Sequence, residues 1–320
     1  MLVDDRTRLM INVSKLHYED GLTQKEISKK LRISRPTISR LMKDAIKLGI
    51  VKITIADFEE SFSDLEKHLC KAYGLEEVVV TSVSDANSRE VVAKELGAIA
   101  AYYFNRSVRN GDVVGVTWGT TLSSMVNNLK ATKAMHITVV QLMGGLGDPA
   151  VSLHGTDIVR RISLLLDSTV RLMPAPGIVD SIEAARFFKS DKHISAALNA
   201  VINADIIFAG IGSLSQNALL IQDETIITRE DVKWLRDQGA IGEFALHFYD
   251  INGKLIDSDL EKKIIGIGWN ELKAIDRVVA IAGGPEKTHA ILGAVRGGFV
   301  NVLITDHQTA KRLLEFYEAR

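Results

Sequence analysis

The chain contains little of what several folds and functions require. Its 320 residues include one cysteine, Cys70, which excludes a disulfide framework within one chain and any metal site built from cysteines. The eight histidines are scattered without the spacing of metal ligands. No apolar run is long enough to span a membrane, and acids occupy the first residues, where a secretory signal needs bases. We therefore expect a cytoplasmic protein without a metal site or a membrane partner.

The signature motifs of several large enzyme classes are also missing. The sequence contains no G-x-S-x-G nucleophile motif, no Walker A loop, no G-x-G-x-x-G turn and no H-E-x-x-H helix. Each of these motifs places a reactive side chain or a phosphate-binding backbone at a fixed position. The absence of these motifs predicts that the chain has no catalytic residues and no cofactor.

Length and charge divide the chain into two parts. Hydrophobic residues make up 46% and charged residues 25%, as in an ordinary globular protein, and 320 residues favour two domains. The net charge of −1 conceals an asymmetry, because residues 1–55 carry 12 basic and 6 acidic side chains while the remainder carries 27 and 34. A basic head on an acidic body indicates that the head meets a polyanion.

The sequence of the head has the pattern of two short helices joined by a tight turn. Thr23 and Glu26 form a capping-box pattern, and Ser34 followed by Pro36 starts a second helix. The alternating residues Ile50–Ile55 predict a strand that could form a wing. This is the arrangement of a winged helix-turn-helix, which places a helix start in the DNA major groove.

Arginine side chains and hydroxyls on the second helix suit guanine edges and phosphate oxygens. The bland alternative is a three-helix surface module with a solvated basic face. The predicted DNA-binding residues are Thr23, Gln24, Ser34, Arg35, Pro36, Thr37, Ser39, Arg40 and Lys43.

Residues 56–320 form the predicted second domain. Its first part, 56–74, has the apolar spacing of an amphipathic connecting helix, which could pack on its own domain or on a second subunit. Short β-branched runs then alternate with helical stretches, which predicts a doubly wound α/β domain with a largely parallel sheet. The predicted strands are 77–83, 112–117, 137–142, 169–172, 206–210, 245–249, 277–282 and 300–305.

Four glycine-rich loops follow predicted strands, at 116–121, 141–148, 209–213 and 281–287. Ligands of parallel sheets bind beyond the carboxyl ends of the strands, so these loops predict a site for a small phosphorylated or polyhydroxylated ligand. Lys287 could complete a phosphate site or be solvated. Glu243 could accept hydrogen bonds from hydroxyls, act as a base in an enzyme, or be a solvated acid at a strand end.

The ordered set of motifs resembles the SorC family of bacterial sugar-responsive transcriptional regulators along nearly the whole chain. The motifs that carry this resemblance are Leu22-Thr23-Gln24-Lys25-Glu26-Ile27-Ser28, Ser34-Arg35-Pro36-Thr37-Ile38-Ser39-Arg40-Leu41, Trp118-Gly119-Thr120-Thr121, Gly144-Gly145, Gly210-Ile211-Gly212-Ser213, and Ala282-Gly283-Gly284 followed by Lys287.

The resemblance implies an effector domain similar to sugar-phosphate isomerases and deaminases, a homotetramer that binds operator DNA, and control by a phosphorylated sugar. It implies phosphate on Gly119, Thr120, Thr121 and Lys287. It implies sugar hydroxyls near Gly144, Gly145, Asp148 and Glu243. Some members carry Lys or Arg before the Gly-Gly pair, where this chain has Met143, so a covalent imine at that position is not expected.

Two functions are therefore compatible with the sequence. The first is a transcriptional regulator of a carbohydrate-utilisation operon that responds to a phosphorylated sugar or polyol. The second is a sugar-phosphate isomerase or deaminase with an accessory head. The capped, basic reading helix favours the first, because an enzyme does not need it.

Overall fold

The computed structural model describes residues 5–52, 61–131, 134–146, 155–215, 218–222 and 226–319. The chain divides into two compact units, Met1–Ser61 and Phe62–Arg320. The predicted boundary at Ile55 lies outside the described residues. None of the helices in these ranges combines the length and the apolarity that crossing a membrane requires.

After the first three helices, strands and helices are interspersed along the chain. The helices are α1 Asp5–Tyr18, α2 Gln24–Leu31, α3 Arg35–Lys47, α4 Ser63–Tyr73, α5 Arg89–Ser107, α6 Thr120–Asn128, α7 Gly155–Leu166, α8 Ile182–Ser190, α9 Lys192–Ile202, α10 Leu219–Gln222, α11 Arg229–Asp237, α12 Asp259–Lys262, α13 Trp269–Lys273, α14 Thr288–Gly297 and α15 His307–Glu318. The strands are β1 Glu77–Thr81, β2 Val113–Val116, β3 Thr138–Gln141, β4 Thr169–Arg171, β5 Ile206–Gly210, β6 Gly212–Ser213, β7 Gly242–Phe244, β8 His247–Tyr249, β9 Val278–Ile281 and β10 Val302–Asp306.

The first unit is a helix-turn-helix with a small core of its own. Eight buried apolar residues from α1, α2 and α3 pack together, among them Val13, Ile27 and Ile38. Arg32 ends α2 in the left-handed conformation, with φ of 56°, which turns the chain sharply into α3. The predicted wing strand is not formed at residues 50–52, and the rest of it lies outside the described residues.

The second unit is a doubly wound three-layer α/β domain. Seven parallel strands form one sheet in the order β1-β10-β9-β5-β2-β3-β4. Successive residues of a strand enter opposite cores, since Ile206 and Phe208 pack with α5, α6 and α7 while Ile207 and Ala209 pack with helices of the other face. Burial on both faces explains why these strands read as continuous apolar runs.

Two predictions about this unit need correction or completion. The strand predicted at 245–249 is not part of the parallel sheet; β7 and β8 form an antiparallel hairpin that pairs with β6 in a separate three-stranded sheet. The connecting helix, predicted at 56–74, is α4 Ser63–Tyr73; residues 61–62 are not helical, and 56–60 lie outside the described residues. It packs on its own unit, because α4 contacts α15 and β1 and the Phe62 ring stacks on His307 at 5.7 Å.

Candidate functional site

The first unit presents a basic helix whose start is built by side-chain caps. The Thr23 N–H donates to Glu26 Oε2 at 2.8 Å and the Glu26 N–H donates to Thr23 Oγ1 at 3.3 Å, so the capping box is formed. The Thr37 N–H donates to Ser34 Oγ at 3.3 Å at the start of α3. No acid lies in the first turn of α3, so its amino end favours an anion.

The predicted DNA-binding residues lie on the starts of α2 and α3 and along α3. Arg35, Thr37, Arg40 and Lys43 are exposed, while Gln24 and Ser39 are half-buried. The hydroxyl of Thr23 is already engaged, since it donates to Glu26 at 2.7 Å. The exposed arginines therefore have the freedom to contact bases, whereas Thr23 contributes by fixing the helix.

A cavity of about 990 Å³ lies at the carboxyl ends of neighbouring strands in the second unit. The loops after β2, β5 and β9 line it, as does Met143 after β3, and these four strands are adjacent in the order β9-β5-β2-β3. Five of the eight predicted effector-binding residues line this cavity, namely Gly119, Thr120, Thr121, Glu243 and Lys287.

The start of α6 supplies one wall of the cavity. Gly119 precedes the helix with φ of 117°, and no side chain caps the first turn. The unpaired N–H groups of such a start attract an anion, and the two threonine hydroxyls add donors. The Gly210 N–H donates to Thr117 Oγ1 at 3.3 Å, which holds the neighbouring loop against this wall.

The loop that carries Lys287 is held in place by a buried carboxylate that the sequence did not predict. Asp306, fully buried, accepts the Gly284 N–H at 2.7 Å and the Thr309 hydroxyl at 2.7 Å on Oδ2. A side chain at residue 283 would overlap this carboxylate, so glycine is required there. The fixed loop then makes one 3₁₀ turn, Pro285–Lys287. The available signal was an Asp at a strand end before a helix, which also caps α15.

Two of the charged groups that line the cavity, Lys287 and Glu243, have shifted pKa values. Burial is the main cause that lowers the pKa of Lys287 to about 8; Glu243 and Glu286 oppose this shift, and Arg89 contributes to it. Burial raises the pKa of Glu243, and the Leu246 N–H, Lys287 and His247 partly offset this. A cation, a helix start and a buried carboxyl in one cavity can hold an anion at one end and hydrogen-bond donors at the other.

The cavity does not include the predicted glycine pair. The Gly144 N–H donates to the Ile265 carbonyl at 2.8 Å and the Gly145 N–H donates to the Ala175 carbonyl at 2.9 Å, so both backbone N–H groups already have partners within the protein. Gly144 is buried against the backbone of Ala175 and Pro176, whereas Gly145 is exposed. Asp148 lies outside the described residues. Among the residues that are described, no group of three or more His, Cys, Asp or Glu side chains is placed to hold a metal ion.

Comparison with known proteins assigns both units. Residues 57–315 match the family described as "Putative sugar-binding domain", and residues 4–48 match sigma-70 region 4. The chain is 30% identical to the deoxyribonucleoside regulator of Bacillus subtilis, over 97% of this chain and 98% of that protein. It is also 30% identical to the sorbitol operon regulator of Klebsiella pneumoniae, over 97% and 99%.

The chain belongs to the SorC family of transcriptional regulators. The crystal structure of full-length SorC from Klebsiella pneumoniae superposes with a TM-score of 0.72 at 28% identity, covering 97% of this chain and all of that one. As a SorC-family regulator the chain combines a DNA-binding helix-turn-helix with a sugar-binding domain, which confirms the predicted fold class.

Proposed function

We propose that this SorC-family protein regulates a carbohydrate-utilisation operon by binding operator DNA under the control of a phosphorylated sugar or polyol. The observation that carries the phosphate is the uncapped start of α6 facing the same cavity as Lys287. Gly119, Thr120 and Thr121 offer N–H and hydroxyl donors, and Lys287 offers a charge. Glu243 is a carboxyl acceptor for hydroxyls of the same ligand.

Control follows from linkage between the two binding events. An effector changes the DNA-bound fraction only through its different affinity for two states of the protein, typically about 1–3 kcal/mol of coupling. We include a homotetramer in the proposal, since paired heads can match half-sites about one helical turn apart. Light scattering of the full chain checks that assembly.

The test of the ligand class is a thermal-shift screen of the full chain against sugars and polyols, each with and without phosphate. A ligand at 100 times its Kd adds about 2.7 kcal/mol of stability. Lys287→Ala should abolish the shift. The matched control is Lys262→Ala, because Lys262 is an exposed lysine paired with Asp259 outside the cavity. Equal shifts with unphosphorylated ligands would refute the phosphate site.

The test of DNA binding uses duplexes selected from a random pool by the full chain. Arg40→Ala and Arg35→Ala should each weaken binding to the selected sequence by about 1–3 kcal/mol if the side chain reads a base. Lys47→Ala, in the last turn of the same helix, is the control. Unchanged binding by both arginine variants would remove α3 as the reading helix.

A second candidate, a sugar-phosphate isomerase or deaminase, is favoured by one observation. Lys287, with a pKa of about 8, and Glu243, with a raised pKa, lie in the same cavity, as acid–base catalysis requires. Steady turnover of sugar phosphates that is lost in Glu243→Gln would support the enzyme. Effector-dependent DNA binding without turnover would support the regulator.

A further inference from the structure

The β7–β8 hairpin contains a backbone conformation that its residues do not favour. Its two turn residues, Ala245 and Leu246, have φ of 51° and 73°, and Phe244 pairs directly with His247 across the turn. Two positive φ angles in a two-residue hairpin are the type I′ turn, which favours Asn-Gly. Residues with a Cβ are strained in this conformation.

The strained turn is buried at the ligand cavity. Leu246 is fully buried and Ala245 is 3% exposed, and Ala245 lines the cavity beside Glu243. Hairpin turns ordinarily lie on the surface, where solvent satisfies their backbone. Strain held in the wall of a binding cavity points to a role in that site rather than in chain reversal.

One oxygen of Glu243 holds the turn. The Leu246 N–H donates to Glu243 Oε2 at 3.1 Å, and within the described ranges this is the one hydrogen bond to the carboxylate. The other oxygen, Oε1, lies over Gly212, where any side chain would overlap it. The carboxylate therefore has one oxygen fixed on the turn and one with acceptor capacity left at the cavity.

A second clamp fixes the hairpin from its far side. His247 Nδ1 lies 2.9 Å from Glu261 Oε1 and Nε2 lies 2.8 Å from the Ile267 carbonyl oxygen, both within hydrogen-bond distance. Both bonds are buried or nearly so, and they join β8 to α12 and to the segment before α13. The turn is thus held between His247 and Glu243, and only the Glu243 side faces the ligand.

We propose that the Ala245–Leu246 turn is a positioning element, which uses its left-handed backbone to aim Glu243 Oε1 at a hydroxyl of the bound ligand. This inference rests on the proposed function, since it concerns the hydroxyl end of the same ligand. A hydroxyl on Oε1 and the Leu246 N–H on Oε2 share one carboxylate. Ligand binding and the turn conformation therefore stabilise each other.

The test compares two substitutions that move the backbone preference of residue 245 in opposite directions. Ala245→Gly relieves the positive φ, and Ala245→Val increases its strain because valine is β-branched. The probes are glycerol 3-phosphate and sorbitol 6-phosphate, with inorganic phosphate as the probe that lacks a carbon-bound hydroxyl. Affinities are measured by calorimetry on the full chain.

The unmodified chain should bind a polyol phosphate more tightly than inorganic phosphate. Ala245→Val should weaken the polyol phosphate roughly tenfold and leave inorganic phosphate unchanged, while Ala245→Gly should bind the polyol phosphate at least as tightly as the unmodified chain. An equal loss of affinity for the polyol phosphate and for inorganic phosphate would overturn the inference. So would the same loss of affinity in Ala245→Val and Ala245→Gly. Binding of neither probe to the unmodified chain would instead refute the phosphate site of the proposed function.

A second pair of variants keeps the inference testable if Ala245→Val does not fold. Glu243→Gln retains an oxygen for the Leu246 N–H, and Glu243→Ala does not. Amide hydrogen exchange at Leu246 should stay slow in the glutamine variant and become fast in the alanine variant, and both should lose the extra affinity for polyol phosphates. Slow exchange in Glu243→Ala, or full polyol affinity in either variant, would show that Glu243 does not couple the turn to the ligand.

Discussion

The lowered pKa of Lys287 makes effector binding depend on pH in a direction that can be worked out. With a pKa of about 8, the Lys287 side chain is mostly a charged ammonium at pH 7 and mostly a neutral amine at pH 9. If only the charged form holds the phosphate, the apparent Kd grows with the neutral fraction, so affinity falls about tenfold between pH 7 and pH 9. The phosphate is a dianion throughout this range, because its second pKa is about 6.

The assay is calorimetric measurement of the effector Kd at pH 7, 8 and 9 in the full chain. Lys287→Arg is the matched variant, because a guanidinium stays charged over the whole range and should give a nearly flat profile. Burial raises the pKa of Tyr249 well above its ordinary value, so this neighbour does not titrate here. Burial also raises the pKa of the neighbouring Glu243.

Two outcomes would refute the reasoning. An unmodified chain that binds equally at pH 7 and pH 9 would show that the charge of Lys287 does not contact the phosphate. An arginine variant with the same pH profile as the unmodified chain would assign the titration to another group. Either result would leave the DNA-binding proposal untouched.

Three further predictions concern stability and DNA binding. Thr23→Ala should destabilise the first unit by about 1 kcal/mol, because the capping box is lost; denaturant unfolding measures this, and Lys25→Ala, on the exposed face of α2, is the control. Asp306→Asn should lower stability by about 1–3 kcal/mol, since an amide can accept for only one of the two donor pairs that the carboxylate serves; an unchanged melting temperature would contradict this. Operator affinity should fall steeply with salt, and Lys43→Ala should reduce the log–log slope by about one if Lys43 contacts a phosphate; an unchanged slope would remove that contact.

Much of the fold is predictable from local pattern because local physics dominates there. The capping box at Thr23 and the cap at Ser34 each involve residues three positions apart, and their hydrogen bonds form as the pattern predicts. Strands buried on both faces read as apolar runs, so β5 was predicted at its observed bounds, 206–210. The β7–β8 hairpin was not predicted, because each strand has three residues and the turn sequence Ala-Leu is not typical of a hairpin.

The sequence predicts the site residues whose positions follow from strand topology. It does not predict those whose roles depend on a hydrogen-bond partner that is distant in the sequence. Parallel strands bring their carboxyl ends to one edge, so Gly119 and Lys287 reach one cavity although 168 positions separate them. The fate of Gly144 depends instead on a carbonyl at Ile265, which no local pattern reveals. The same holds for Asp306, whose cap on α15 is readable while its bond to Gly284 is not.

The position of the cavity explains how a small ligand can act on this domain. The start of α6 follows β2 and Lys287 follows β9, with β5 between them. The loop after β5 is tied to the β2 side by the Gly210 N–H on Thr117, and the Lys287 loop is tied to β10 by Asp306. A ligand held by both walls would add contacts that span β2, β5 and β9. Occupancy of the cavity would therefore change how the carboxyl edge of the sheet is held together, which is the kind of differential interaction that linkage to a second binding event requires.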